Sequence, residues 1–186
     1  MSNTFYDIKL SEVISETADA KSLVFDIPSD LQEAFAFKAG QYLTLKFEIN
    51  GEEVRRSYSL SSAPVENKWR VCCKRVQNGL VSNHICENLK AGDSVSIMAP
   101  DGRFAFEANE EREAKYLLFG AGSGITPIIS IAKQILEQEP LSSVYMMYGN
   151  TDESNVIYKE ELTSLEKKFQ GQFHIKHVYS LSLIHI

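Results

Sequence analysis

The sequence predicts an antiparallel β-domain of the sandwich or barrel kind followed by a parallel α/β domain. Three observations carry this expectation. The first hundred residues read as short alternating strands divided by turns, the pattern of a sandwich or barrel. At Pro100-Asp101-Gly102-Arg103-Phe104 that pattern stops, and the charge-dominated segment 107–115 reads as a linker. Beyond it, apolar strands alternate with helical segments, which implies a parallel sheet with helices packed on it.

Each element follows from local pattern. Residues 6–13 alternate through Tyr6, Ile8 and Leu10, as a half-buried strand does. Residues 22–27 form a second strand stopped by Pro28, after which Ser29-Asp30 can cap a short helix through Phe35. In residues 41–49, Leu43, Leu45, Phe47 and Ile49 alternate with Tyr42 and Thr44. Asn50-Gly51 supplies the positive φ angles of a tight hairpin turn, and residues 52–61 return antiparallel. Residues 69–76 and 94–99 complete the strands, with a helix between them marked by Val81, Ile85 and Leu89. Further on, residues 116–119, 144–148 and 173–179 read as strands, and 127–137 and 157–169 as helices.

Composition bounds the function. The chain has 186 residues, is 44% hydrophobic and 24% charged, and carries a net charge of −6. That is ordinary for a globular protein and poor for nucleic acid, whose binding needs basic groups against phosphates. No stretch approaches the ~20 apolar residues of a membrane span, and residues 1–9 show no leader pattern. Cys72, Cys73 and Cys86 form neither a disulfide framework nor a metal site, since neighbours on a strand face opposite ways. A reducing cytoplasm is expected, with no metal, no nucleic acid and no membrane.

Three stretches point to chemistry. In Arg55-Arg56-Ser57-Tyr58-Ser59-Leu60-Ser61-Ser62, strand alternation puts Arg56, Tyr58 and Leu60 on one face. A flat ring can stack on Tyr58 while Arg56 clamps a phosphate, the two things a flavin nucleotide needs; an amphipathic strand with a surface arginine is the plainer alternative. At Asn78-Gly79-Leu80-Val81-Ser82-Asn83 a glycine turn opens a helix, leaving free N–H groups at the positive dipole end. A plain helix capped by Ser82 is the alternative there. Gly120-Ala121-Gly122-Ser123-Gly124-Ile125-Thr126-Pro127 joins the first parallel strand to its helix, with Thr126 a good N-cap and Pro127 a good first helical residue. Its G-x-G-x-G spacing differs from the Rossmann fingerprint. Its place after a strand and before a helix suits a ligand pyrophosphate.

Taken in order, Arg56-Ser57-Tyr58-Ser59, Gly79-Leu80-Val81-Ser82 and Gly120 to Pro127 resemble the ferredoxin–NADP reductase superfamily. Ala39-Gly40-Gln41-Tyr42 and Pro100 to Phe104 look like its signature turns. Tyr148-Gly149-Asn150 and Lys159-Glu160-Glu161-Leu162 are similar to the reductase components of phenylacetyl-CoA epoxidase-type oxygenases. The resemblance implies an antiparallel Greek-key FAD-binding barrel over residues 1–108 and, over 109–186, the first half of an NAD(P)-binding α/β domain. It implies a flavin-dependent oxidoreductase in which a hydride passes from NAD(P)H to FAD and electrons go singly to an oxygenase or ferredoxin-type acceptor. Tyr58 would stack on the isoalloxazine, Arg56 would hold the diphosphate, and Ser59 would lie near the reactive flavin nitrogen, which requires the strand to bend or end there. The strand Cys72-Cys73-Lys74 would run along the flavin, largely through backbone groups, and Gly79, Val81 and Ser82 would serve its phosphates. Gly120, Gly122, Gly124 and Thr126 would frame the dinucleotide. No side-chain nucleophile or base is required, so no catalytic residue is assigned. All four histidines read as structural or solvated.

The likeness breaks off after Ser180. Residues 181–186 look foreign to the family, and neither its Cys-Gly-Pro segment nor the Cys-rich iron–sulfur domain of the epoxidase-type reductases is in the sequence. The expectation is an N-terminal fragment that binds FAD but turns over NAD(P)H poorly, with any iron–sulfur cluster in the missing part. Family members often carry arginine at the position of Thr151, favouring a 2′-phosphate, whereas Asp152 suits a 2′-hydroxyl; the choice of dinucleotide stays open. A flavohaemoglobin-like reductase, a free flavin reductase and, distantly, a non-enzymatic barrel binding module are the alternatives.

Overall fold

The computed structural model describes residues 4–180, so the foreign-looking tail and His185 lie outside the described residues. Strands β1 (Phe5–Thr17), β2 (Ala20–Phe25), β3 (Tyr42–Ile49), β4 (Glu52–Ser59), β5 (Trp69–Lys74) and β6 (Ser94–Met98) form one antiparallel sheet in the order β4-β3-β6-β1-β2-β5. Alternation sends Ile8, Leu10, Leu23, Leu43, Leu45, Val71 and Ile97 into a single core. Asn50 and Gly51 take φ of 56° and 79° at the β3–β4 turn, as that dipeptide should. Helix α1 (Leu80–Asn88) caps the core with Val81 and Ile85.

The sheet curls but does not close. β4 and β5 share no ladder, and an isolated bridge between Leu60 and Val71 links them. β4 ends at Ser59; Leu60 N–H then donates to the Gln41 carbonyl at 2.8 Å and Ser61 N–H to the Arg70 carbonyl at 2.7 Å. The chain therefore crosses from one sheet edge to the other within a few residues, and the gap between the edges stays open. The expected helix after Ser29 is a run of turns, with one helical bond from Phe35 N–H to Leu31 C=O. So short a segment gains too few bonds to offset nucleation, and the Phe35 carbonyl instead accepts from the buried Trp69 indole at 2.7 Å.

The second half is a parallel sheet of β7 (Lys115–Ala121), β8 (Ser143–Asn150) and β9 (Phe173–Tyr179), with α2 (Ile125–Gln138) and α3 (Lys159–Lys168) packed on one face through Ile129, Ile135, Val144, Met146 and Leu162. Segment 107–115 is not a free linker. The wholly buried Glu139 carboxylate accepts from Asn109 N–H, Arg112, the Tyr116 hydroxyl and the Ser142 hydroxyl at 2.7–3.0 Å, so a buried charge is satisfied and the segment is tied down. Helix α3 starts two residues later than the apolar pattern suggests, because Tyr158 takes φ 63° and sends its ring under the Arg70 guanidinium, 4.5 Å away.

The two halves interlock along α2. The Ser130 hydroxyl donates to the Ser62 carbonyl at 2.6 Å. Gly40, at φ 98°, admits no side chain because a Cβ would lie 2.5 Å from the Phe104 carbonyl, and Ile131 of α2 packs against it. The buried Lys133 ammonium pairs with Glu66 and Glu161, and Glu161 with Arg70. Burial raises the Glu161 pKa, but Lys133 and Arg70 outweigh it and hold the carboxyl below its usual value of 4.5. A carboxyl with a depressed folded pKa stabilises above its unfolded pKa and loses that contribution as pH falls through the folded one. The stability gap between the native chain and Glu161→Gln is therefore expected to shrink below about pH 4.5, as thermal melts across acid pH would show; a constant gap would refute the pairing.

The other face of the parallel sheet is bare among the described residues. Leu117 and Phe119 are 68% and 66% exposed, beside Tyr145 and Met147, and β7 is an edge strand. An unpaired apolar edge opens readily. Amides of β7 are expected to exchange faster than those of β3. Leu117→Thr/Phe119→Thr should reduce binding of an apolar dye while changing stability by only about 0.5 kcal/mol. Equal protection of both strands would contradict this.

Candidate functional site

The open gap between β4 and β5 is the mouth of a cleft of about 540 Å³. β4 contributes Arg56, Ser57, Tyr58 and Ser59; β5 contributes Cys72 and Lys74; the start of α1 contributes Gly79, Leu80, Val81 and Ser82; the turn before α2 contributes Ser123 and Gly124, and the first turn of α2 Thr126. Arg56 and Tyr58 pair with the buried Leu45 and Leu43 of β3, so they share the inward face at the sheet edge. Arg55 is tied to Glu53, whereas Arg56 has no carboxylate partner among the described residues and its Nη1 donates to the Arg55 carbonyl at 2.7 Å. Its charge therefore faces the cleft uncompensated. Tyr58 is held from beneath by the Cys73 thiol, 3.4 Å from its hydroxyl. Burial, reinforced by Cys73, raises the pKa of the Tyr58 hydroxyl. Burial likewise pushes Cys73 to about 11 and Cys72 to about 12, so both thiols stay protonated and unreactive.

At α1 the first intrahelical bond runs from Asn83 N–H to the Gly79 carbonyl at 3.0 Å, so the amides of Leu80, Val81 and Ser82 precede it. Ser82 does not cap the helix. Its hydroxyl accepts from Val76 N–H at 3.1 Å and donates to the Gly79 carbonyl at 3.3 Å, folding the turn back on itself. A side chain at Gly79 would strike that hydroxyl. This leaves the helix N-terminus bare toward the cleft, as an anion requires.

The turn after β7 also differs from its expected capping. A 3-10 turn at Gly122–Gly124 runs into α2, which begins at Ile125; Thr126 lies inside the helix and its hydroxyl donates to the Ser123 carbonyl at 3.1 Å. Gly122 has φ 49° and is pinned by the buried Tyr148 hydroxyl, which donates to its carbonyl at 2.9 Å. Side chains built at Gly122 or Gly124 would project into open space, so the backbone there is bare to a ligand. Gly120 lies behind the turn against Ile125. Gly122 faces a second cavity of about 380 Å³, lined also by Ala121, Gly149, Asn150, Thr151, Val178, Ser180 and Lys74. Lys74 thus lines both spaces.

Of the residues singled out in the sequence, Arg56, Tyr58, Ser59, Lys74, Gly79, Val81, Ser82, Gly124 and Thr126 come together in one cleft. The Cys73 side chain joins the barrel core, leaving its backbone on β5 between Cys72 and Lys74, which line the cleft. Asn150 is the residue sequence reasoning passed over. It is 7% exposed, lines the second cavity, and neither its amide nitrogen nor its oxygen meets a partner among the described residues. The signal was a polar residue closing an apolar strand, at the carboxyl end where open α/β sheets bind ligands.

Residues 7–106 match the oxidoreductase FAD-binding domain family, and residues 118–182 the oxidoreductase NAD-binding domain family. The chain belongs to the ferredoxin–NADP reductase superfamily. It is 34% identical to one of the subunits of 1,2-phenylacetyl-CoA epoxidase from Escherichia coli K12 over 177 residues, covering 95% of this chain and 50% of that protein. It is 39% identical over 172 residues to the ferredoxin reductase component of 3-ketosteroid-9-alpha-monooxygenase from Rhodococcus rhodochrous, covering 91% and 48%. Its fold matches the flavohem-like FAD/NAD-binding domain of nitric oxide dioxygenase from Vibrio cholerae with a TM-score of 0.79 and 29% identity, covering 93% of this chain and 73% of that one. The chain spans about half the length of the curated relatives it matches. Both halves are thus oxidoreductase domains homologous to reductase enzymes, which removes the barrel binding module as an alternative. No helix among the described residues is long and apolar enough to cross a membrane.

Proposed function

We propose that the chain is the flavin- and dinucleotide-binding part of a reductase that moves electrons from NAD(P)H through FAD to an oxygenase or iron–sulfur partner. When bound, the flavin takes two electrons from the nicotinamide and can release them singly. One observation carries this reading: Arg56 to Ser59, Val81-Ser82, and Gly124 with Thr126, far apart in sequence, line a single cleft. Residues 1–108 then form the flavin unit and 109–186 the dinucleotide unit. Arg56 clamps the diphosphate with charge-assisted bonds, the amides of Val81 and Ser82 receive it at the dipole end of α1, and Gly79 keeps that end unobstructed. Tyr58 offers its ring to the isoalloxazine, steadied by Cys73. Ser59, which lines the cleft with Ser57, would stand near the reacting edge of the flavin, and Lys74, which lines both spaces, would lie between the two nucleotides. Gly120, Gly122 and Gly124 let the dinucleotide approach the backbone, with Thr126 fixing the turn. The protein orients and shields the reacting groups, and no side-chain base takes part.

The iron–sulfur centre belongs to the partner or another part of the protein in this proposal. Cys72 and Cys73 face opposite sides of β5, and no group of three metal-binding side chains occurs among the described residues. The relatives' names support an oxygenase as the acceptor. A reductase serving a haem domain is the second reading, favoured by the Vibrio cholerae likeness. Three free, buried thiols suit a reducing cytoplasm.

Arg56→Ala is expected to weaken FAD by roughly ten- to hundredfold, since a charged hydrogen bond is worth about 1.5–3 kcal/mol. An unchanged Kd in a flavin titration of the folded variant would sink the clamp. Asn150→Leu separates binding from folding. It removes two buried polar atoms that meet no well-formed hydrogen bond among the described residues, so the ligand-free chain should melt higher. It also removes hydrogen bonds to the dinucleotide, at about 0.5–1.5 kcal/mol each, so affinity for NADH or NADPH should fall roughly two- to tenfold per lost bond. Calorimetric titration that finds dinucleotide affinity unchanged would remove Asn150 from the site.

A further inference from the structure

The helix that carries the dinucleotide turn is held against the flavin half by a chain of alternating charges. Lys133 of α2 places its Nζ 2.6 Å from the Glu66 carboxylate and 3.0 Å from that of Glu161. The second oxygen of Glu161 accepts from Arg70 at 2.6 Å. Glu66 and Arg70 belong to the antiparallel half, Lys133 and Glu161 to the parallel half, so the chain crosses the seam twice. It is charge-balanced, and its cations are buried: the Lys133 and Arg70 side chains are 5% and 11% exposed, while Glu66 and Glu161 reach the surface at 34% and 26%.

Buried ion pairs stabilise little against apolar residues of the same size, but they can select one arrangement among several. The rest of this seam is mostly apolar, with Ala20, Ala39 and Cys72 in one cluster with the Ile131 and Ile135 of α2. Such contact is non-directional and tolerates sliding. A lysine gripped by two carboxylates on different elements does not. Lys133 lies about two helical turns, roughly 12 Å, from the start of α2. Any tilt or slide of the helix therefore reaches the Gly122–Gly124 turn, which faces Ser59 across the cleft.

We propose that Lys133 is a positioning residue: through Glu66 and Glu161 it fixes the angle of α2 on the barrel, and so sets the dinucleotide turn in register with the flavin face. The proposal rests on the flavin–dinucleotide reading for its catalytic consequence, and on geometry alone for the angle. The register matters because a misplacement of about 1 Å can cost a hundredfold in rate.

The test uses the 186-residue chain. Lys133→Met alone strands two carboxylates and can unfold the protein. Glu66→Gln/Lys133→Met removes one charge of each sign and keeps the Arg70–Glu161 pair, while Lys133→Arg keeps the whole chain. Residual dipolar couplings without cofactor report the angle between the halves. In the double variant the halves should reorient or average over many angles. Its FAD affinity should stay within about twofold, and anaerobic bleaching of the flavin by NADH or NADPH should slow by about a hundredfold relative to the native chain. Lys133→Arg should match the native chain in all three. A folded double variant with native couplings overturns the proposal, as does a changed angle with unchanged bleaching, or a double variant that cannot fold. Failure of Lys133→Arg alongside the double variant assigns the effect to packing and overturns it too. A native chain that is not bleached at all counts against the functional reading, and the couplings still decide the angle.

Discussion

β4 and β5 approach as the two edges of a curled antiparallel sheet, touch at Leu60 and Val71, and part. The site depends on that failure to pair. Had the ladder continued, the backbone of β4 beyond Arg56 would be spent on β5 and the inner face would be sealed. Because the strand stops at Ser59 and the chain crosses to Arg70, the edge residues Arg56, Tyr58, Cys72 and Lys74 face a gap. An edge strand is normally a liability. Here one end of the gap is occupied by α1 and the other by α2, and what lies between is a cleft with a cation, a ring and bare helix amides.

Holding that cleft in shape falls to polar groups rather than to the apolar core. Glu139 accepts four hydrogen bonds, two of them from the connecting segment, and so ties that segment to the foot of α2. The Ser130–Ser62 bond and the Glu66–Lys133–Glu161–Arg70 chain tie the same helix to the barrel. Hydrophobic burial supplies most of the driving force for bringing the halves together, but it does not fix an angle. Directional bonds between buried groups do, because each leaves a costly unpaired atom when it slips.

The parallel half shows the opposite allocation. Tyr148 anchors Gly122, yet Asn150 keeps an amide with no hydrogen-bond partner among the described residues in a cavity, and Tyr158 holds a left-handed backbone at the seam. Each costs stability of the ligand-free fold. Such costs collect where a binding site is built in advance, since a preorganised site does not reorganise when its ligand arrives. With the bare face of Leu117 and Phe119, they make this half the less self-sufficient of the two.

The sequence by itself determined the strands, the hairpin at Asn50-Gly51, the change of architecture after Pro100 and the three ligand-directed turns. All of these rest on side-chain period and local backbone preference, which act within a few residues. Tertiary structure alone decided that the barrel stays open, that residues 29–35 form turns, that α2 begins at Ile125 and α3 at Lys159, and that Glu139 fastens the supposed linker. It also decided that the Cys73 side chain goes into the core while Cys72 lines the cleft, and that the Asn150 amide meets no hydrogen-bond partner among the described residues. These features depend on where distant groups come to lie: the Phe35 carbonyl under the Trp69 indole, the Tyr158 ring beneath Arg70, the Ser62 carbonyl before Ser130. Local pattern reports which residues can form an element or grip a ligand. Whether two elements pair, and what a buried polar atom finds beside it, is fixed only when the whole chain has packed.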